Sequence, residues 1–284
     1  MQRRKHKLSI AIPVSIISDI PHLREKTLEI GLIGRAAAIF RVNEIVVFSD
    51  NANDPNQKWD KKLIVTLLSY MEAPQYLRKR LFKIKPELRY AGILPPLRTP
   101  HHPLEKRAKK LKVGEYREGA ITAVTDEGSL VNIGVERSIL ILGKKLALNK
   151  RVTVKVTKSG KSPEVVLASR KEIKAYWGYT VNSTDDSFGK LTKAHHYDLV
   201  IATSKLGAPI MQVYDELAES WKKSGKILVA FGAPAHGLQE ILKQENTSLD
   251  KVADFTINTI PEQGTETVRT EEALYVSLAL LNTL

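Results

Sequence analysis

The most informative stretch of the sequence is INTIPEQGTETVRTEEAL, residues 257–274, near its C-terminal end. Its apolar start is typical of a strand, its Pro-, Gly- and Thr-rich middle of a loop, and its end of a helix. We expect Thr270 to cap this helix, with Glu271 and Glu272 in the first turn, where the helix dipole favours negative charge. A loop of this kind presents many main-chain donors and acceptors at one edge of a sheet. The stretch therefore predicts a site that grips a small polar cofactor mainly through its backbone.

Strand and helix patterns alternate through both ends of the chain. A strand over 8–13 is followed by a helix over 23–41. The other predicted strands of this part are 45–50, 177–181, 199–204, 227–231 and 255–260. An amphipathic helix is predicted over 209–223, with Pro209 at its first position. Alternation of this kind predicts an α/β domain with a largely parallel sheet.

The middle of the chain has a different character. Residues 94–103 contain four prolines and cannot form a helix interior or a central strand. Short alternating segments then follow between residues 116 and 168, which is typical of a small β-barrel such as an OB-fold. We therefore expect residues 93–168 to form a domain inserted into an α/β domain made of residues 1–92 and 169–284.

Basic charge is concentrated in the same middle region. The net charge of the chain is +13, and residues 78–117 contain thirteen Lys or Arg against three acidic residues. A block of like charge is often just a solvated face, and lysine enrichment also accompanies growth at high temperature. Beside short strands, the asymmetry favours contact with nucleic acid. The sparse aromatic residues of the insert indicate backbone and shape contacts rather than base stacking.

Several classes of protein and site are disfavoured. The sequence has no cysteine, which excludes disulfides and zinc–thiolate sites. No apolar run approaches the ~20 residues of a membrane span, so we expect a cytoplasmic protein without a membrane partner. Residues 231–238 lack the Lys-Ser or Lys-Thr of a phosphate loop. The adjacent pairs His101-His102 and His195-His196 have no accompanying carboxylate cluster, so no metal is expected.

The helix predicted over residues 23–41 contains an unusual segment. Gly31 and Gly34 each cost about 1 kcal/mol relative to alanine in a helix interior, so they indicate close approach by another backbone or a ligand. Arg35 lies among these glycines and three alanines, which leaves its guanidinium little shielded. It is either a surface residue of a tightly packed helix or a cation aimed at a phosphate or a reacting group.

Together these residues resemble the SPOUT class of methyltransferases. Residues 31–47, with Arg35 four positions after Gly31, resemble its first motif, residues 229–238 its second, and residues 260–279 its third. The run 269–273 and the inserted β domain narrow the resemblance to the SPOUT RNA methyltransferases with an OB-like insertion, and it covers essentially the whole chain.

The resemblance implies a SPOUT-type fold, in which the C-terminal segment threads a trefoil knot through a parallel sheet, an exception to the rule that chains are unknotted. It also implies S-adenosylmethionine in the knot cleft and a homodimer with the cofactor sites near its interface. The cofactor contacts that it implies are Thr203, Gly232, Gly237, Leu238, Ile257, Asn258, Ile260, Gln263, Gly264, Thr267 and Ala273.

The same resemblance implies the residues of the reaction. Arg35 would reach the substrate from the partner subunit, and Arg269 and Glu272 are the other candidate catalytic residues. The Ser-Leu-Asn of ribose methyltransferases is replaced by Ala273-Leu274-Tyr275, so methylation of a base in rRNA or tRNA is favoured over ribose. Transfer from a sulfonium needs no metal, since positioning supplies most of the acceleration. Two alternatives remain: a protein arginine methyltransferase, and an RNA-binding protein with an inactive cofactor site.

Overall fold

A computed structural model describes residues 1–51, 55–194 and 196–284, so the first member of the His195-His196 pair lies outside the described residues. The strands are β1 Lys7–Pro13, β2 Glu44–Phe48, β3 Tyr116–Val124, β4 Gly128–Asn132, β5 Ile139–Leu142, β6 Arg151–Lys158, β7 Glu164–Ala168, β8 Thr180–Thr184, β9 Leu199–Pro209, β10 Lys226–Ala230 and β11 Phe255–Asn258. The α-helices are α1 Leu23–Ile39, α2 Gln57–Glu72, α3 Gln75–Leu81, α4 Phe188–Ala194, α5 Tyr214–Lys223, α6 Leu238–Lys243 and α7 Thr270–Leu281.

The chain divides into two compact units. The α/β unit consists of residues 4–71, 87–96 and 179–284, and the β unit of residues 1–3, 72–86 and 97–178. The prediction has a single inserted segment, residues 93–168. In the structure the β unit also includes residues 1–3 and 72–86, and residues 87–96 belong to the α/β unit.

A six-stranded parallel sheet forms the centre of the α/β unit, in the order β11-β9-β10-β1-β2-β8. The inner strands β1 and β10 are buried almost along their whole length. Near-continuous apolar strands are expected where helices cover both faces of a parallel sheet. The predicted α/β class with a parallel sheet is therefore confirmed.

Two predicted elements of this unit are misplaced. The strand predicted over 177–181 begins only at Thr180, because Gly178 turns the chain with φ +80°. The helix predicted to begin at Pro209 begins at Tyr214 instead, since β9 continues as far as Pro209 and a short 3₁₀ turn follows it.

Strand β9 departs from the sheet in its middle. Thr256 of β11 pairs with Ala202, but the next residue, Ile257, pairs with Ala208. Residues 203–207 of β9 therefore leave the ladder, and the strand prediction that stopped at residue 204 missed its second half. The break brings Gly207 against β11, where an added Cβ would lie 2.7 Å from the carbonyl carbon of Ile257.

The glycines of α1 allow close packing. A Cβ at Gly31 would lie 2.9 Å from Pro95 Cδ, and one at Gly34 would lie 2.9 Å from Tyr179 Oη. The glycines do permit a close approach, but side chains of the same unit make it, rather than the other backbone or ligand that was expected.

The β unit is built on a five-stranded antiparallel sheet, in the order β5-β4-β3-β6-β7. Its outer strands β5 and β7 also contact each other, so the sheet curls into a nearly closed barrel around an apolar core. The predicted small barrel of short strands is therefore confirmed as a nearly closed antiparallel sheet.

Buried charges are paired inside the β unit. Arg151 Nε donates to Glu118 Oε2 at 2.6 Å, and both Nη groups of Arg151 donate to the carboxylate of Glu72. Trp177 Nε1 donates to Glu118 Oε1 at 2.6 Å. Despite burial, hydrogen bonding to His101 and the Arg151 charge hold the pKa of Glu72 well below its usual range. A paired network of this kind holds Glu72 against β3 and β6 in one arrangement.

Candidate functional site

A cavity lies at the carboxyl ends of β9, β10 and β11. Its volume is about 380 Å³, which is within the range of small-molecule sites. Because the three strands are parallel, their following segments meet at one edge of the sheet, where ligands of open α/β sheets bind. The lining comes from the β9 excursion, the segment after β10, and the segment that joins β11 to α7.

Three side-chain hydrogen bonds fasten these segments together. Thr203 Oγ1 donates to the carbonyl of Ala230 at 2.9 Å, which ties the β9 excursion to β10. Asn258 Nδ2 donates to the Lys205 carbonyl at 2.9 Å, which ties β11 to the same excursion. Thr270 Oγ1 donates to the Gly232 carbonyl at 2.9 Å, which ties the start of α7 to the end of β10. The cavity rim is therefore held by hydroxyl and amide groups at each strand end.

The segment between β11 and α7 is organised from within. Gln263 Nε2 donates to the carbonyls of Thr265 and Glu266 at 2.8 and 3.0 Å, and Ile260 N–H donates to Asn258 Oδ1 at 2.9 Å. These bonds use side chains to satisfy main-chain groups that have no strand or helix partner.

Two of the predicted glycines have different roles. A Cβ on Gly232 would lie 3.0 Å from the Cα of Gly237, so Gly232 permits close packing of the turn on itself. A Cβ on Gly237 would meet no atom within 4 Å, and Gly237 lines the cavity. The space beside Gly237 is therefore available to a ligand.

The structure gathers most of the predicted cofactor residues at this cavity. Those that line it are Thr203, Gly232, Gly237, Asn258, Ile260, Gln263, Thr267 and Ala273. Leu238 and Ile257 are instead buried in the apolar interior. Gly264 follows Gln263 directly without lining the cavity. The cofactor role of each of these residues stays a prediction.

None of the three predicted catalytic residues is among those that line this cavity, although Arg269 and Glu272 are next to residues that do. Arg35 on α1 donates from Nη1 to the carbonyl of Pro96 at 3.0 Å. Glu272 accepts the N–H of Arg269 at 2.9 Å, so it caps α7, and the N-cap is Arg269 rather than the expected Thr270. Thr270 is not free to cap because its hydroxyl bonds to Gly232.

Sequence reasoning missed the charged groups of the cavity that come from the β9 excursion and from α6. Lys205 lies in the excursion, and Glu240 and Lys243 lie on α6. The signal for the excursion was Gly207 followed by Pro209, which interrupts an apolar strand pattern.

A second cavity of about 330 Å³ lies beside α1 and the start of α7. Glu29 and Glu271 line it and are only 5% and 7% exposed. Arg269 also lines it, with Nη1 3.6 Å from Glu29 Oε2. Burial, and then the hydrogen bond between the two carboxyl groups, raises the pKa of Glu29 to about 8. Sequence reasoning missed Glu29 because a lone glutamate in a helix is typical of a solvated face.

Metal and membrane features are limited to what the described residues carry. Among residues 1–51, 55–194 and 196–284, no group of three His, Asp or Glu side chains is arranged to hold a metal ion. His101 and His102 both approach the Glu72 carbonyl, with Nε2 at 2.8 Å in each case. In the same part of the chain no helix combines the length and apolar character of a bilayer span.

Comparisons with known proteins point to one family. A family model described as "Putative RNA methyltransferase" matches residues 7–281. The 28S rRNA (uridine-N(3))-methyltransferase of Drosophila melanogaster is 34% identical over an alignment of 308 positions, which covers 96% of this chain and 61% of the fly protein. The mouse protein of the same name is 34% identical over an alignment of 310 positions, which covers 99% of this chain and 77% of the mouse protein. An uncharacterized protein of Halobacterium salinarum is 33% identical, and the alignment covers 96% of this chain and 98% of that protein.

The buried carboxyl pair of Glu29 and Glu271 should make the stability of the folded protein depend on pH. Glu29 keeps its proton in the folded protein up to a pKa of about 8, whereas the unfolded chain releases it near 4.5. Stability from this group is therefore present below pH 4.5 and is lost as pH rises through 8. Glu29→Gln stays neutral, so the variant should gain stability over wild type across this window, by at most about 1.4 kcal/mol per pH unit. Thermal unfolding of both proteins at pH 5, 6, 7 and 8 measures this difference.

The control for this measurement is Glu219→Gln, which removes an exposed carboxylate from α5. Its stability relative to wild type should stay level over the same pH range. A constant difference between Glu29→Gln and wild type would contradict the raised pKa.

Proposed function

Because the chain belongs to the RNA methyltransferase family whose model spans residues 7–281, we propose that it transfers a methyl group from S-adenosylmethionine to N3 of a uridine in ribosomal RNA. The observation that carries this proposal is the cavity at the ends of β9, β10 and β11, where the segments most typical of the resemblance converge. The choice of uridine N3 comes from the names of the fly and mouse relatives. It agrees with the base methylation expected from the sequence.

The cavity suits S-adenosylmethionine in size and in lining. Small residues such as Gly232, Ala233 and Ala273 leave room for a flat adenine ring and expose main-chain groups to its edge. Lys205 and Lys243 offer ammonium groups to the carboxylate of a methionine moiety. Glu266 offers a carboxylate that can face a sulfonium cation. When bound, the cofactor would supply an electrophilic methyl carbon with a good leaving group.

The chain's own contribution to this reaction is positioning. The hydrogen bonds from Thr203, Asn258 and Thr270 hold the three strand ends rigid, so a bound donor would keep one orientation. A pre-organised site matters because the transfer is a single in-line displacement.

We also propose the SPOUT fold with a knotted C-terminal segment. β11 is an edge strand, yet α7 after it packs on α1, which follows β1 in the interior of the sheet. On the way, Thr270 bonds to the end of β10. The hydroxyl groups of Thr259 and Ser277 are buried and 2.8 Å apart, so α7 turns back on the end of β11. This return path supports a threaded segment.

An OB-like insertion is proposed for the β unit. Neighbouring strands follow the order β5-β4-β3-β6-β7, and β5 also contacts β7, which supports the partly open five-stranded barrel of that fold. Exposed lysines and arginines precede its first strand in the sequence, among them Lys106, Arg107, Lys109, Lys110 and Lys112. Their positive charges are suited to binding the phosphate groups of RNA.

The active form is proposed to be a homodimer formed through α1 and α7. Leu28 and Ile39 of α1 and Val276 of α7 are 47%, 46% and 38% exposed, although the two helices pack against each other. A second copy would cover these apolar side chains, and Arg35 lies between them along α1. This arrangement would allow Arg35 to reach the partner's substrate, as the resemblance implies.

The cofactor site is tested by filling the space beside Gly237. Gly237→Leu should weaken S-adenosylmethionine binding at least tenfold in calorimetry, because its side chain would occupy the cavity. It should also lower formation of 3-methyluridine, measured by nucleoside mass spectrometry on ribosomal RNA from cells that lack the protein. Gly92→Leu is the matched control, since a Cβ there also meets no atom within 4 Å. Equal cofactor affinity in both variants would contradict the assigned site.

RNA binding is tested on the basic surface of the β unit. Replacing Lys109, Lys110 and Lys112 together by Gln should reduce the slope of log affinity against log salt by about 2, because each single-strand phosphate that a lysine neutralises adds about 0.7 to that slope. The control replaces three exposed lysines of the α/β unit, Lys190, Lys222 and Lys223, by Gln. Fluorescence anisotropy on labelled ribosomal RNA fragments measures both. The same slope for both triple variants would argue against an RNA surface on the β unit.

A further inference from the structure

Basic charge is unevenly distributed over the surface of the β unit. Residues 75–85, which contain α3, include five Lys or Arg and no acidic residue. Residues 143–150, between β5 and β6, include three lysines and no acidic residue. By contrast, the turn between β3 and β4 exposes two acidic residues, Asp126 and Glu127. The positive charge is therefore concentrated on particular segments and is not spread over all loops of the barrel.

Contacts within the β unit bring the two basic segments together. α3 packs on β3, and the Tyr76 hydroxyl donates to the Glu118 carbonyl at 2.7 Å. Four residues later on the same face of the helix, Arg80 Nη1 donates to Asn149 Oδ1 at 3.1 Å. That bond ties the end of α3 to the segment before β6. The two basic segments therefore form one continuous surface.

The segment between β5 and β6 is held in place although it is neither helix nor strand. Ser129 Oγ donates to the Lys144 carbonyl at 2.7 Å and accepts the Leu146 N–H at 2.9 Å. Leu146 also packs against the apolar core of the barrel, whereas Leu148 is 58% exposed. The lysines of this segment are thus presented from a fixed backbone.

The same surface continues to the basic segment before β3. A Cβ on Gly134 would lie 2.6 Å from Tyr76 Cδ1, so the start of α3 lies against the turn between β4 and β5. In that turn the Glu136 N–H donates to the Lys106 carbonyl at 3.1 Å. α3 therefore connects residues 106–112 with residues 143–150. We call residues 75–85, 106–112 and 143–150 the cationic track.

Helix capping and ion pairing do not account for the lysines of the track. Basic residues in the last turn of a helix interact favourably with its dipole, which accounts for Arg80. Lys83 lies beyond the end of α3, however, and Lys144 and Lys145 lie outside any helix. In the part of the chain that the structure describes, none of these three lysines forms an ion pair with a carboxylate. Like charges gathered in this way repel one another, and a bound polyanion relieves that repulsion.

We propose that the cationic track binds an unpaired strand of the substrate RNA, which runs from residues 106–112 across α3 to residues 143–150. This inference rests on the proposed function and specifies which surface of the β unit holds the RNA. It differs from the usual mode of OB-folds, which bind oligonucleotides on their second and third strands and on the loops after their first and fourth strands.

The charges of the β unit disfavour that usual face. Its second and third strands are β4 and β5, and the loop after the first strand carries Asp126 and Glu127. At the loop after the fourth strand, Lys158 Nζ is already 2.8 Å from Glu164 Oε1. Phosphates would meet two carboxylates and one neutralised lysine there. On the cationic track they would meet lysines alone.

Exposed aliphatic side chains favour an unpaired strand over a duplex. Ile84 is fully exposed between two lysines of the track, and Leu148 is exposed near Lys150. The bases of a single strand can turn their apolar faces to such side chains, whereas a duplex presents mainly ribose and phosphate. Lysines are flexible point charges, so they can follow the strand without requiring one sequence.

Two sets of substitutions test the track. On an oligouridine of about 12 nucleotides, within the ~4–16 that one OB-like unit covers, Lys144→Gln with Lys145→Gln should reduce the slope of log affinity against log salt by about 1.4. Adding Lys79→Gln and Lys83→Gln should reduce the slope by about 2.8 in all, because each neutralised phosphate contributes about 0.7. Fluorescence anisotropy measures the slopes. Calorimetry with S-adenosylmethionine should give wild-type affinity, which shows that the variants are folded.

The matched control is Lys158→Gln with Lys161→Gln, which removes two lysines from the usual face of the same unit. This double variant should keep the wild-type slope. A crosslink then locates the strand. Because the sequence has no cysteine, Leu148→Cys can carry a thiol-directed photo-crosslinker at one defined position. Its yield with the oligouridine should be severalfold higher than that of Val166→Cys on β7, where the side chain is 47% exposed.

The outcomes separate the track from the proposed function. A wild-type slope for Lys144→Gln with Lys145→Gln, or equal crosslinking from Leu148→Cys and Val166→Cys, would overturn the track alone. Binding of polyglutamate that depends on these lysines, without any effect of the lysines on RNA, would also overturn it and would indicate an acidic protein partner. A wild-type protein that binds the cofactor but leaves uridine N3 unmethylated would overturn the proposed function, whichever slopes are found.

Discussion

The hydrogen bond from Thr270 Oγ1 to the Gly232 carbonyl is the interaction on which the functional site depends. It joins the start of the last helix to the end of β10, although the chain enters this region from the edge strand β11. The segment 259–269 is thereby drawn across the carboxyl ends of β9 and β10. Without that crossing, neither cavity would have its common wall.

The two cavities differ in the chemistry of their linings. The first is lined by small residues and main-chain groups, which suits recognition of a nucleoside-like cofactor by shape and by hydrogen bonds. The second is built from ionisable side chains, and burial together with the neighbouring carboxyl group raises the pKa of Glu29 there. The stretch 268–271 lies between the two cavities and contributes side chains to each of them.

The sequence predicted the parts of the fold that depend on apolar periodicity. The strands β1, β10 and β11 and the short strands of the β unit follow from alternation and turn residues, because burial alone fixes them. The excursion in β9 and the late start of β8 depend on glycine conformations and on pairing with distant strands, which no local pattern reports. The cavity loops were predictable through the family motifs. Glu29 was not, because its partners Glu271 and Arg269 lie some 240 residues away in sequence.

A crystal structure of the protein with S-adenosylhomocysteine would show directly whether the cavity at the ends of β9, β10 and β11 holds the cofactor. We expect the nucleoside between residues 231–237 and 259–268, with its ring beside Gly237 and the sulfur facing the 268–271 stretch. Ligand bound elsewhere, or a cavity that holds only solvent at saturating ligand, would contradict the account.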